Sequence, residues 1–195
     1  MEIKNMTKNA AERAKKIKIF LMDVDGVLTD GKMYYLPGRD SGMVEFKAFH
    51  ALDGIGLRLL NQFGVVTGVI TGCESPGTEE RARDLGMSYA YQGFLSKVDP
   101  LERILADTGL APENVAYMGD DWTDIPVLKR AGLACAPANA LDEVKAALEK
   151  CGVAPTDVEE VFMGQARQLG SGPNPARQVA VAAGCGDKRP FHSLY

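Results

Sequence analysis

Apolar residues along the first 150 positions fall into short continuous runs, separated by longer segments in which they recur every three or four residues. Residues 17–22 form a β-rich apolar run that stops at Asp23, the pattern of a buried strand. Residues 65–70 and 114–118 repeat it, and 133–136 is a shorter example. Between these runs the period lengthens. Ile55, Leu57, Leu59, Leu60 and Phe63 follow Asp53 as one helix with Gly64 as its stop. Ser75-Pro76 opens a second helix, which continues over 79–85 and ends at Gly86. Residues 98–108, 125–131 and 141–150 read as further helices. Two β-rich runs, 32–36 and 43–49, flank the turn-rich Pro37-Gly38-Arg39-Asp40-Ser41-Gly42 and predict a β-hairpin over about 32–49.

Strands alternating with helices of this length predict an α/β fold: a three-layer, doubly wound parallel sheet of Rossmann type, with the hairpin inserted after the first strand. Residues 1–150 form a single domain on this reading. Residues 151–195, rich in Gly, Ala and Pro, form a partly irregular C-terminal tail with no more than a short helix.

Composition narrows the function classes. A net charge of −4 lacks the basic field of a nucleic-acid binder. The longest apolar runs are far short of the roughly 20 residues that span a membrane. The basic stretch 4–18 reads as a solvated helix face, and the absence of an apolar core in the first twenty residues argues against a secretory signal, so the expected location is cytoplasmic. Cys73, Cys135, Cys151 and Cys185 form no C-x-x-C pair, and only His50 and His192 accompany them, so zinc spacing is lacking and free thiols are expected.

The chemistry lies at the predicted strand ends, where ligands bind in such sheets. Asp23 and Asp25 sit two apart in Asp-Val-Asp-Gly-Val-Leu-Thr-Asp, directly after the first strand. Two carboxylates on a turn after a buried strand are costly unless paired or metal-bound. An EF-hand loop does not fit, because its glycine stands at position 6 and a helix precedes it. Asp120, Asp121 and Asp124 form a second acidic cluster after the 114–118 strand. Convergence of these groups demands a cation, and all-oxygen ligands favour Mg²⁺. Thr71 and Lys97 add a hydroxyl and a positive charge, which suits phosphoryl transfer with an attacking carboxylate. No P-loop, G-x-G-x-x-G or G-x-S-x-G motif is present.

Asp23–Asp30, Ile70-Thr71-Gly72, Lys97 and Gly119-Asp120-Asp121-Trp122-Thr123-Asp124 resemble, in order, the four motifs of the haloacid dehalogenase superfamily. The early hairpin, the Tyr91-Gln92-Gly93 stretch before Lys97 and the short length make the chain similar to the capless 3-deoxy-manno-octulosonate 8-phosphate phosphatases and the related N-acylneuraminate 9-phosphate phosphatases. The resemblance implies a Mg²⁺-dependent phosphatase acting on a phosphorylated sugar acid, with a place in lipopolysaccharide sugar synthesis. It implies Asp23 as nucleophile and Asp25 as general acid/base. It implies Thr71, Gly72 and Lys97 as phosphoryl and substrate contacts. Mg²⁺ ligation falls to Asp23, the Asp25 carbonyl and Asp120, with Asp121 behind them and Asp124 orienting Lys97. His50, where the family has Asn, reads either as packing behind the site or as a substrate contact. The assembly implied is a homotetramer in which a neighbour closes each site, with the hairpin serving assembly or packing on its own core.

Two departures stand out. Cys73 occupies a position where the family often carries Arg, and residues 170–177 only faintly echo the family's glycine-rich tail. Two other classes compete with the phosphatase. A receiver domain carries its phospho-acceptor on a middle strand, unlike Asp23 on the first. A binding or regulatory homologue that has lost activity is the other reading, and the four intact motifs count against it.

Overall fold

Alternation along β1 (Ile19–Met22) organises the molecule into layers. In this computed structural model, which describes residues 8–40, 42–150, 161–164 and 191–194, Ile19 and Leu21 join one core cluster and Met22 joins another. Successive strand side chains point to opposite faces, so β1 feeds both sides of the sheet. The first cluster packs the sheet against α4 (Val98–Thr108), α5 (Ile125–Leu128) and α6 (Asp142–Lys150), through Leu101, Ile104, Val127, Leu128 and Val144. The second packs it against α2 (Ala51–Gln62) and α3 (Pro76–Leu85), through Leu57 and Leu85. The result is the expected three-layer α/β fold.

The sheet runs β5-β4-β1-β6-β7, all parallel, with β4 at Val66–Ile70, β5 at Tyr89–Tyr91, β6 at Val115–Met118 and β7 at Leu133–Cys135. The chain leaves β1 for β4 on one side and returns to β6 on the other. Their carboxyl ends therefore frame a crevice at the point where the winding reverses.

Several elements differ from the sequence reading. Strand β1 starts at Ile19 rather than 17, because Lys18 is exposed and its amide bonds the Asn114 carbonyl (2.8 Å) outside the strand. Strand β5 was not expected, being a three-residue edge element whose burial is only partial. Helix α5 is one turn, not seven residues. The hairpin strands, β2 (Tyr34–Pro37) and β3 (Met43–Phe46), form an antiparallel pair separate from the main sheet. In the tail, where the sequence supports no more than a short helix, β8 (Val161–Gly164) and β9 (Phe191–Leu194) pair in parallel. Cys151, Cys185 and residues 170–177 lie outside the described residues. Among the described residues, α1 (Lys8–Ala14) precedes β1.

Candidate active site

Burying a lysine requires charges that hold it there. Lys97, at the N-cap of α4, is 2% exposed, and its Nζ lies 2.8 Å from Asp23 Oδ2 and 2.7 Å from Asp124 Oδ1. Burial alone would lower its pKa, but the charges of Asp23 and Asp124 outweigh it, so Lys97 titrates above its ordinary value and stays cationic. Asp23 continues the β1–β6 ladder through its amide to the Met118 carbonyl (2.9 Å), which fixes its side chain at the crevice. Its Oδ1 accepts the Val24 amide at 2.7 Å. Burial raises the Asp23 pKa, and Lys97 offsets part of that rise.

The second acidic cluster is organised around Asp124, which is fully buried. Its Oδ1 accepts from the Tyr117 hydroxyl (2.6 Å) as well as from Lys97. Its Oδ2 accepts the amides of Asp120 (3.0 Å) and Asp121 (3.1 Å). Asp121 in turn accepts from the Thr123 amide (2.7 Å) and hydroxyl (2.6 Å), which closes the loop. With the loop so tied, Asp120 is left with a buried Oδ1 that has no hydrogen-bond partner. Burial, then the charges of Asp23, Asp124 and Asp121, push its pKa up to about 7.

One oxygen from each of Asp23, Asp120 and Asp124 lies within a 4.8 Å cluster. Each oxygen of Asp124 already accepts from two protein donors, whereas each Asp23 oxygen meets one and Asp120 Oδ1 none, so Asp23 and Asp120 are the two of the three with capacity left for a cation. An orphaned buried carboxylate oxygen is costly. A hard divalent ion with oxygen ligands relieves it, and the donor set fits Mg²⁺.

Gly26 makes this approach possible. Its φ of +89° is left-handed, and a Cβ there would lie 2.0 Å from Asp120 Oδ2. The Gly26 carbonyl accepts the Asn139 side-chain amide at 2.8 Å, tying the first acidic loop to the segment before α6.

The other expected site residues are placed as follows. Thr71 directly follows β4, is 2% exposed, and is pinned by its amide to the Tyr91 carbonyl (2.9 Å) and by its carbonyl to the Phe94 amide (3.0 Å). Its Oγ1 accepts the Cys73 amide at 3.3 Å. Gly72 follows, with room for a Cβ only 3.1 Å from Leu95. Asp25 is gripped by Lys47, whose Nζ lies 2.6 and 2.7 Å from its two oxygens, and accepts from Thr29 Oγ1 (3.3 Å). Cys73 is exposed, and its thiol is pushed up in pKa by burial and then by Asp25. His50 is the N-cap of α2: its Nδ1 accepts the Leu52 amide (3.2 Å) and its carbonyl accepts from Arg81 (3.1 Å).

Sequence reasoning missed Lys47, Tyr117 and Asn139. The alternation Glu45, Lys47 against Val44, Phe46 was the available signal for Lys47. It places the two charged residues on one side of the strand.

The family model for haloacid dehalogenase-like hydrolases matches residues 90–158. A second model, the thiolase N-terminal domain, matches residues 131–194, of which β7 and α6 are built into the sheet and core described above. The chain is 38% identical over 128 residues to 3-deoxy-D-manno-octulosonate 8-phosphate phosphatase KdsC of Escherichia coli K12, a match covering 66% of each. It therefore spans about two thirds of that relative's length. A crystal structure of 3-deoxy-D-manno-octulosonate 8-phosphate phosphatase from Moraxella catarrhalis with magnesium, phosphate and KDO matches at 36% identity and TM-score 0.66, covering 71% of this chain and 77% of that one. The cobalt-bound deoxy-D-mannose-octulosonate 8-phosphate phosphatase of Haemophilus influenzae matches at 34% identity and TM-score 0.63, covering 69% and 74%.

Proposed function

Because the chain belongs to the haloacid dehalogenase-like hydrolase family, we propose that it is a Mg²⁺-dependent phosphoric monoester hydrolase that releases phosphate from 3-deoxy-D-manno-octulosonate 8-phosphate, in lipopolysaccharide sugar synthesis. The observation that carries the chemistry is the meeting of Asp23, Lys97 and Asp124 with an Asp120 oxygen that has no protein partner. The substrate rests on the relatives named above.

Asp23 attacks phosphorus, forming an aspartyl-phosphate as the ester P–O bond breaks. Asp25 gives its proton to the departing alcohol oxygen, then takes one from the water that cleaves the aspartyl-phosphate. Thr71 and Lys97 hold phosphoryl oxygens, and Gly72 lets the substrate approach the backbone. Lys97 stays fixed between Asp23 and Asp124, so its charge is aimed before substrate arrives. Asp23, Asp120 and the Asp25 carbonyl hold Mg²⁺, which when bound supplies positive charge against the phosphoryl oxygens. Asp121 steadies the loop behind them. His50, at the α2 cap, is assigned to the substrate's far end.

The assembly proposed is a homotetramer with sites near subunit boundaries. Its support is an exposed apolar surface on the hairpin, with Tyr35, Leu36, Met43 and Val44 each more than half exposed. No helix among the described residues is long and apolar enough to cross a membrane. The cytoplasm is the location adopted, consistent with the free thiols of Cys73 and Cys135.

The test is phosphate release with Mg²⁺ and with EDTA from the octulosonate 8-phosphate and N-acetylneuraminate 9-phosphate, on protein whose mass is read by light scattering. Mg²⁺-dependent release from the octulosonate ester by a tetramer is expected. Preference for the 9-phosphate moves the substrate to the sialic-acid branch, the reading that Cys73 in place of Arg keeps open. No release from either makes the chain a binding homologue.

Metal affinity should depend on pH in a stated direction. With a folded pKa of about 7 against an ordinary 3.8, Asp120 holds a proton between those values that the unfolded chain releases. Its contribution to stability therefore falls as pH rises through that window. Mg²⁺ must displace the same proton, so its apparent affinity should be about tenfold weaker at pH 6 than at pH 8. Mg²⁺ titration of the melting temperature at both pH values reads this, and equal affinities sink Asp120 as a ligand.

A further inference from the structure

The hairpin reaches into the active site as well as outward. Strand β3 turns Val44 and Phe46 to the surface, while the Lys47 side chain that follows is only 4% exposed. Its ammonium meets both oxygens of Asp25, at 2.6 and 2.7 Å, and Glu45 Oε1 stands 3.4 Å behind it. That Glu45 oxygen is buried and makes no hydrogen bond, so the ion pair with Lys47 is its only charge compensation among the described contacts. Asp25 is thus held at two oxygens by a group from the segment that leaves the hairpin, with Thr29 Oγ1 and the Cys73 thiol as further side-chain partners.

A carboxyl that must deliver a proton to a leaving oxygen needs its plane fixed, because proton transfer is sensitive to distance and angle. The ammonium holds the head of Asp25 in place through both oxygens, and the Thr29 Oγ1 contact to Oδ1 alone, off the side-chain axis, restrains the turn of its plane. We propose that Lys47 is the positioning residue for Asp25 and that Glu45 positions Lys47, so that the hairpin sets the geometry of the proton-transfer step. This rests on the reading of Asp25 as the general acid. The competing role for Lys47 is purely structural, a pin that holds the hairpin to the domain.

Leaving-group dependence separates the two. An alkyl ester such as the sugar 8-phosphate departs as an alkoxide and needs the proton, whereas p-nitrophenyl phosphate departs as a stable phenolate and does not. The quantity to compare is kcat/KM, which covers steps up to departure of the alcohol. Lys47→Met should lower kcat/KM about 100-fold for the sugar ester and less than about threefold for p-nitrophenyl phosphate. Glu45→Gln should act in the same direction by about tenfold or less. Lys47→Arg, which keeps charge and reach, should recover part of the sugar-ester rate and guards against a misfolded Met variant, with melting curves alongside.

Equal losses on both esters in Lys47→Met, with Lys47→Arg restoring both equally, overturn the proposal in favour of a structural pin. So does an unchanged sugar-ester rate. Asp25→Asn run in parallel keeps the premises apart. If it too lowers both esters equally, the general-acid reading has failed. If it is selective and Lys47→Met is not, only the Lys47 proposal has failed.

Discussion

Asp23→Asn should reduce phosphate release by at least about 10⁴-fold, with the fold retained. The amide is nearly isosteric with the carboxylate but is a far weaker nucleophile, and it offers a metal only a neutral oxygen. The surroundings predict that this loss will not come from unfolding. Asp23 is 5% exposed, and burial raises its pKa despite Lys97 beside it, which marks a carboxylate placed against its own preference. Replacing it with a neutral group removes that cost, and Lys97 keeps Asp124 as its counter-charge at 2.7 Å. The metal-free variant should therefore melt no lower than the metal-free parent. Phosphate assays and melting curves in EDTA read both halves. A rate above about 1% of the parent would remove Asp23 from the nucleophile's role, since an amide has no route to an aspartyl-phosphate.

How much of this was legible in the sequence follows from where each group sits. Asp23 and Asp120 were readable because each directly follows a buried apolar run, and a parallel sheet brings the ends of such runs together. β1 pairs with β6 from Ile19↔Val115 to Met22↔Met118, so the next residues must converge. Lys97 was readable only by its order among the motifs, and its burial between two carboxylates was not. Tyr117 read as an ordinary strand residue, because nothing in a run of apolar positions says that a phenol's hydroxyl will meet Asp124. Lys47 and Asn139 act across 22 and 113 positions, spans over which local pattern carries no information. β5 escaped because three partly buried residues at a sheet edge lack a periodic signature. Its Tyr91 carbonyl nevertheless fixes Thr71. His50 has a local role that the motif did not announce: its Nδ1 accepts the Leu52 amide as the cap of α2.

Lys97→Met is the second large effect, and it falls on stability as well as activity. The lysine is the cation shared by Asp23 and Asp124, and all three side chains are at most 7% exposed. Removing one partner of a buried ion pair costs about 3–5 kcal/mol, because the remaining charge is left uncompensated. Here two carboxylates are stranded, and the donors that remain to Asp124 are the Tyr117 hydroxyl and two loop amides. Without Lys97 the Asp23 carboxyl, already raised by burial, loses the charge that offsets part of that rise. A raised folded pKa on an acid means stability is present below the unfolded value and lost as pH rises through the folded one. The deficit relative to the parent should therefore widen from pH 5.5 to pH 8. Urea midpoints in EDTA at the two pH values measure it, and a deficit that narrows as pH rises contradicts the argument. Adding Asp124→Asn to Lys97→Met should recover part of the stability, since it removes one stranded charge. It should recover none of the rate, which also loses the cation aimed at the phosphoryl oxygens, a loss of about 10³-fold or more. Activity returning with stability would mean that Lys97 serves the fold alone.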